Sequence, residues 1–148
     1  MFCTTLEPNH HKFIKKLGYI PVGLGVNFFT GDWFRDNSGQ NISKKNKNYA
    51  ECTYHYWFWK NYLDKHDGEW IGFCHYRKFW GLEQYKSEDI NFNSLDALVL
   101  KKIPEKYDEY DTILGEPFFV NQFRGMKFIK NGMKIFLKNP LLFFDKTR

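Results

Sequence analysis

The amino-acid sequence predicts an α/β fold, and three observations carry the prediction. Roughly the first 25 residues follow a β-α-β order. A ring-rich helical stretch, 49–65, then leads into an unbroken apolar run of seven residues, Trp70–Tyr76, bounded by Gly68 and by basic residues. That length fits a buried strand better than a helix. Tyr110–Leu114 reads as a further buried strand. A chain of 148 residues suffices for one domain with its own core, so a single domain, 1–148, is expected.

Met1–Thr5 is short, apolar and β-prone, and reads as the first strand. Pro8 and Asn9 can open a helix, Phe13, Ile14 and Leu17 sit at helical spacing, and Gly18 supplies the stop. Tyr19–Val26 reads as the second strand, with Gly23 and Gly25 permitting close approach of another backbone. Residues 27–43 form a loop rich in turn formers, longer than most connections. The next helix is expected from Tyr49 to about Lys65, with Asn48 and Glu51 at capping-box spacing. Tyr49, Cys52, Tyr56, Trp59 and Leu63 make one stripe and Glu51, His55, Phe58 and Tyr62 another, so the helix is expected to be buried on most sides. Gly72 in the following strand leaves room for a ligand or a neighbouring chain. Residues 81–93 are polar, Leu95–Leu100 favours a helix ended by Pro104, and Lys106–Glu109 is a charged turn. A last helix is expected from about Phe123 to Lys138, stopped by Asn139-Pro140.

The net charge of +5 is unevenly placed. Residues 1–120 carry 15 Lys/Arg against 16 Asp/Glu, and residues 121–148 carry 7 against 1. The positive surplus therefore belongs to the C-terminal segment, where Lys127, Lys130, Lys134 and Lys138 fall on one helical face. That face reads first as a solvated surface, second as a contact for an anionic inner membrane, and third as an RNA footprint; no nucleic acid is expected. The three cysteines are odd in number and include no C-x-x-C pair, which argues against a disulfide framework or a structural zinc. Cys52 and Cys74 read as small core residues in a reducing cytoplasm. No signal peptide is read at the N-terminus, and no apolar run approaches the ~20 residues that cross a bilayer.

The residues that can carry chemistry fall in two places. His75-Tyr76-Arg77-Lys78 closes the apolar run. On a continuing strand His75 and Arg77 share one face, and an imidazole beside a guanidinium and Lys78 suits a phosphate-bearing ligand; the plainer reading is a strand that surfaces here. Asp36, Asn37, Gly39, Asn41 and Ser43 can hydrogen-bond sugar hydroxyls or form Asx turns that satisfy their own backbone, and spacing favours the turns. No Walker-type loop, G-x-G-x-x-G, H-E-x-x-H or paired His/Cys cluster is present, so neither a metal nor a cofactor is read from the motifs.

Three segments in order carry a resemblance: D-N-S-G-Q-N-I-S at Asp36–Ser43, N-K-N-Y-A-E-C-T-Y-H-Y-W-F-W-K-N at Asn46–Asn61, and W-I-G-F-C-H-Y-R-K-F at Trp70–Phe79. Together they resemble a family of bacterial capsular and exopolysaccharide glycosyltransferase-like domains. The resemblance departs at Cys52, where Leu is usual, and implies that relatives continue beyond residue 148, with a segment on the acceptor side expected to be missing here.

The resemblance implies a GT-A-like, Rossmann-type nucleotide-sugar-binding fold, incomplete at its C-terminus. It implies a glycosyltransferase that moves a sugar from a nucleotide donor to a surface polysaccharide or lipid-linked glycan, cytoplasmic or membrane-associated. A non-catalytic carbohydrate- or nucleotide-binding module of the same fold is the alternative. In the GT-A type an Asp-x-Asp pair usually holds a divalent metal on the diphosphate; here His75-Tyr76-Arg77-Lys78 stands in the comparable place. The expectation is therefore metal-independent transfer. Arg77 and Lys78 meet the departing diphosphate, and His75 hydrogen-bonds the donor or acts as an acid. Asp36, Asn37, Gly39, Asn41 and Ser43 line the donor.

Overall fold

The computed structural model describes residues 1–66, 68–81, 83, 94–115 and 125–140, the side chains of residues 125, 127 and 128 excepted. It divides into two compact units, 1–113 and 114–148. The first unit is built on a parallel sheet of four strands: β1 (Phe2–Thr5), β2 (Ile20–Gly23), β3 (Phe34–Arg35) and β4 (Phe73–His75), in the order β3-β2-β1-β4. The register pairs Phe2 with Ile20 and with Phe73, and Val22 with Phe34. Its helices are α1 (His11–Lys16), α2 (Asn46–Tyr49), α3 (Cys52–Asn61) and α4 (Leu95–Leu98).

Strand alternation sends successive side chains to opposite faces, and β1 shows the result. Phe2 joins Val22, Leu24, Tyr54, Trp57 and Phe58 on the face covered by α3. Cys3 joins Ile14, Leu17, Tyr19, Leu95 and Val99 on the face covered by α1. The unit therefore has three layers, helix on sheet on helix. The α1 crossover starts with a 3₁₀ turn at Pro8–His10 and ends at Gly18, whose φ of 77° is the left-handed conformation a glycine stop provides.

Four expectations need correction. The helix expected as one piece from Tyr49 breaks at Ala50 (φ 46°, ψ −131°), and Glu51 caps nothing with its side chain. The buried face of α3 is Thr53, Tyr54, Trp57 and Phe58, whereas Tyr49, Cys52, Trp59 and Leu63 face solvent. The reason is that α3 covers one side of one sheet, so only an i, i+3, i+4 set is enclosed; Trp59 instead carries the Lys60 ammonium 3.3 Å above its ring. Residues 27–43 are not all loop, since Phe34–Arg35 pairs with β2. Tyr110–Leu114 is not a strand: Tyr110 and Leu114 are exposed and have no ladder.

The second unit contains α5 (Gly125–Lys138), close to the expected helix. The expectations at 84–93 and 116–124 lie outside the described residues.

Candidate functional site at the carboxyl edge of the sheet

All four strands are parallel, so Thr5, Gly23, Arg35 and His75 end on the same edge. From β1 the chain moves outward to β2 and β3, and later returns to the other side of β1 as β4. The loops after β1 and β4 therefore diverge, and such a switch point is where open α/β sheets bind ligands.

Polar groups gather there. Thr5 Oγ1 and His10 Nδ1 share a hydrogen bond of 2.8 Å, and the Glu7 amide donates to the same hydroxyl. His10 stacks on Tyr76 with ring centroids 4.4 Å apart, His75 leans on the same ring at 4.4 Å, and the Arg77 guanidinium lies 5.2 Å from it. Three residues, His10 from the loop after β1 and His75 and Arg77 from β4 and its turn, thus surround one tyrosine ring, and Thr5 holds His10.

The strand does not continue through Arg77. The Lys78 amide donates to the His75 carbonyl at 2.8 Å and the His75 amide to the Lys78 carbonyl at 3.2 Å, which makes His75–Lys78 a tight turn. The chain then doubles back, and Trp80 Nε1 donates to the Phe73 carbonyl. His75 and Arg77 accordingly do not share a strand face: His75 is half-buried, and Arg77 and Lys78 are exposed at the turn. Burial first, then the cations of Arg77 and Lys78 and the neighbouring His10, hold the His75 pKa below 6.5 against the opposing Glu51. A neutral imidazole follows at neutral pH. His55, on α3, is lowered by burial in the same way, again opposed by Glu51.

Asp36 follows β3 directly and is fully buried. Its Oδ2 accepts the Thr53 hydroxyl at 2.6 Å, while Oδ1 is buried without a protein partner. Asn46 Nδ2 donates to Thr53 Oγ1 at 3.1 Å and to the Ala50 carbonyl at 2.7 Å. This chain of bonds spans the break between α2 and α3 and pins the strained Ala50. Next to it, Arg35 donates to the Gly25 carbonyl at 2.7 Å and the Asn27 carbonyl at 2.9 Å, closing the loop after β2.

The remaining loop residues go elsewhere. Asn41 Oδ1 accepts from the Ser43 amide and hydroxyl, and Asn41 Nδ2 donates to the Gly39 carbonyl, which is the Asx-turn reading. Trp57 Nε1 donates to the Ser38 carbonyl, and Asn61 exchanges bonds with the Gln40 backbone. Gly39 (φ 54°) sits where a Cβ would collide with the Asn61 side chain. The loop is therefore strapped along α3 toward its C-terminus, away from His75. Asn37 is exposed and Ser43 buried.

The residues missed by sequence reading are Thr5, His10, Glu51 and Thr53. Thr5 was findable, since it ends a buried strand on the same edge as His75; Thr53 looks like an ordinary helix residue until the fold brings Asp36 to it. Among the described residues no three His, Cys, Asp or Glu side chains converge on one point.

A separate cavity of about 310 Å³ lies at the opposite, amino edge, before β1 and β4. Met1, Trp70, Ile71, Gly72, Leu100 and Ile103 give it a largely apolar wall, edged by Lys101, Lys102 and Asp108. The space left by Gly72 is taken by the Met1 side chain.

A parallel sheet ordered β3-β2-β1-β4 between two helical layers, with polar groups massed at its switch point, defines a Rossmann-like α/β domain. Residues 6–133 match the family described as a domain of unknown function, DUF4422, and the chain belongs to it. No curated protein and no solved structure matches the chain.

Proposed function

We propose that this domain is a glycosyltransferase of the GT-A type that binds a nucleoside diphosphate sugar at the carboxyl edge and passes the sugar to a surface or lipid-linked glycan. The observation that carries the reading is the switch-point cluster of Thr5, His10, His75, Tyr76 and Arg77, with Lys78 beside it. Arg77 and Lys78 are exposed cations that a diphosphate can reach.

In the transfer the acceptor oxygen forms a bond to the anomeric carbon as the bond from that carbon to the diphosphate breaks. The negative charge that grows on the diphosphate is met by Arg77 and Lys78, and preorganised charge at that point is a large catalytic contribution. The lowered pKa of His75 suits a neutral imidazole that takes the proton leaving the acceptor hydroxyl, rather than an acid. Asp36 and Thr53 act from behind by fixing the start of α3.

Ligand-detected NMR across a panel of nucleoside diphosphate sugars tests the reading. Saturation transfer to one donor, weakened about tenfold by Arg77→Ala or Lys78→Ala, is expected. Transfer or donor hydrolysis should persist in chelator. Binding that survives both substitutions but falls with Lys102→Ala would move the ligand to the amino-edge cavity and overturn the assignment. Binding without turnover would leave a binding module of the same fold.

A further inference from the structure

α5 is a 14-residue helix with four lysines and no acidic residue. At about 100° per residue, Met126, Ile129, Met133 and Leu137 gather within one narrow arc, and Lys130, Lys134 and Lys138 fill the arc beside it. The apolar stripe is open: Met126 is 81% exposed, Ile129 55%, Met133 59% and Leu137 75%. Lys130, Lys134 and Lys138 are exposed as well. An exposed apolar stripe flanked by a band of one charge is a recognition surface rather than a solvated face.

We propose that α5 lies in the interface of an anionic bilayer, its stripe among the acyl chains and its lysines on the headgroups. Two features of the surface need a partner, and the candidate occupants differ in how many they satisfy. Nucleic acid answers the lysines and leaves the methionines and leucine wet. A second copy of the helix covers the stripe and brings two lysine bands together. An anionic lipid surface answers both. The helix lies in the plane and does not span, because 14 residues rise only about 21 Å against a hydrocarbon core of about 30 Å. No described helix is long and apolar enough to cross a membrane.

Flotation of the intact chain tests this with vesicles of phosphatidylcholine alone and of phosphatidylcholine with about one-third phosphatidylglycerol. Binding to the anionic vesicles only is expected, weakening as salt rises. Each lysine near the surface is worth about a fivefold change in partitioning, so Lys130→Gln, Lys134→Gln and Lys138→Gln together should lower it about a hundredfold. Met133→Ser with Leu137→Ser should also release the protein, with far-UV circular dichroism of both variants in solution reporting that the fold is retained. Equal binding to both vesicle types, no binding to either, or unchanged binding by the lysine variant overturns the proposal. So does a doubled mass in light scattering that Met133→Ser abolishes while vesicle binding stays absent. The assay contains no nucleotide sugar, so its failure is separate from failure of the donor site.

Discussion

Thr53→Val is the most direct probe of how the site is held. The substitution keeps the shape of a fully buried residue and deletes one oxygen. That oxygen makes the 2.6 Å bond to Asp36 Oδ2 and accepts from Asn46 Nδ2 at 3.1 Å. Asp36 Oδ1 has no protein partner, so the variant leaves a buried carboxyl with neither oxygen bonded to protein. The lost bond and the stranded acceptor together should cost about 2–3 kcal/mol, which is a large part of a typical domain's stability of about 5–15 kcal/mol. Urea unfolding followed by tryptophan fluorescence reads this directly, because Trp57 packs one turn along α3 from Thr53. With a slope of about 1–3 kcal/mol per molar, the midpoint should fall by about 1 M or more. Combining Thr53→Val with Asp36→Ala should cost at least 1 kcal/mol less than the sum of the two, since the second change removes what the first stranded. A Thr53→Val cost below about 0.5 kcal/mol, or strict additivity with Asp36→Ala, would refute the account.

Ala50 has a backbone conformation suited to glycine (φ 46°, ψ −131°), so Ala50→Gly should raise stability by about 1 kcal/mol; a lowered thermal midpoint would contradict the strain. Phe2 sits 6% exposed among the rings of Phe34, Tyr54, Phe58, Tyr62 and Phe73, with centroids 5.2 to 6.4 Å away. Phe2→Ala should therefore cost about 3–5 kcal/mol by urea titration, and Phe2→Leu far less. His55 and His75 are both held below 6.5, chiefly by burial, so the unfolded chain binds more protons than the folded one just below that value. Stability is then complete above about pH 6.5 and falls as acid carries the protein through the lowered folded values. Urea midpoints measured across that window should drop for the native chain and drop less for His55→Gln and His75→Gln; identical profiles would refute the burial of these rings.

The parts of the fold legible in the sequence are those fixed by local chemistry. β1, α1 and the first half of the next strand follow from an apolar run, Pro8 and Gly18, and those elements stand close to their expected bounds. What escaped depends on partners far along the chain. Nothing in Tyr49-Ala50-Glu51 disfavours a helix, and alanine is its best former; the break appears because Asn46, Thr53 and Asp36 bond to one another across it. β3 is two residues long and shows only when β2 is beside it. At the site, His75, Arg77 and Lys78 were legible as polar residues ending a buried run, but the turn that folds Lys78 back onto His75 was not. Spacing favours turns at Asn37, Gly39, Asn41 and Ser43, with a donor-lining role implied only by the resemblance, and the bonds of Asn41 to Gly39 and Ser43 and of Trp57 to Ser38 show a turn strapped to α3.

The chemistry of the two central strands gives a direction to the sheet itself. β1 runs from Phe2 and Cys3, both in the apolar layers, to Thr4 and Thr5, whose hydroxyls bond the Cys74 carbonyl and His10. β4 runs the same way, from Phe73 and Cys74 to His75. The facing Cys3 thiol first, and then burial, push the Cys74 pKa up, so it offers no charge in between. Because the strands are parallel, their polar ends coincide, whereas antiparallel pairing would place one polar end beside one apolar end. The break at Ala50 then starts α3 on the same edge, with Glu51 near both His55 and His75. Three separate stretches of chain thus deliver polar groups to one edge. The amino edge has its own cations, Lys101 and Lys102, at the rim of a cavity walled by Trp70, Ile71 and Leu100, which is why the competing Lys102→Ala and Arg77→Ala outcomes discriminate between the two ends of the sheet.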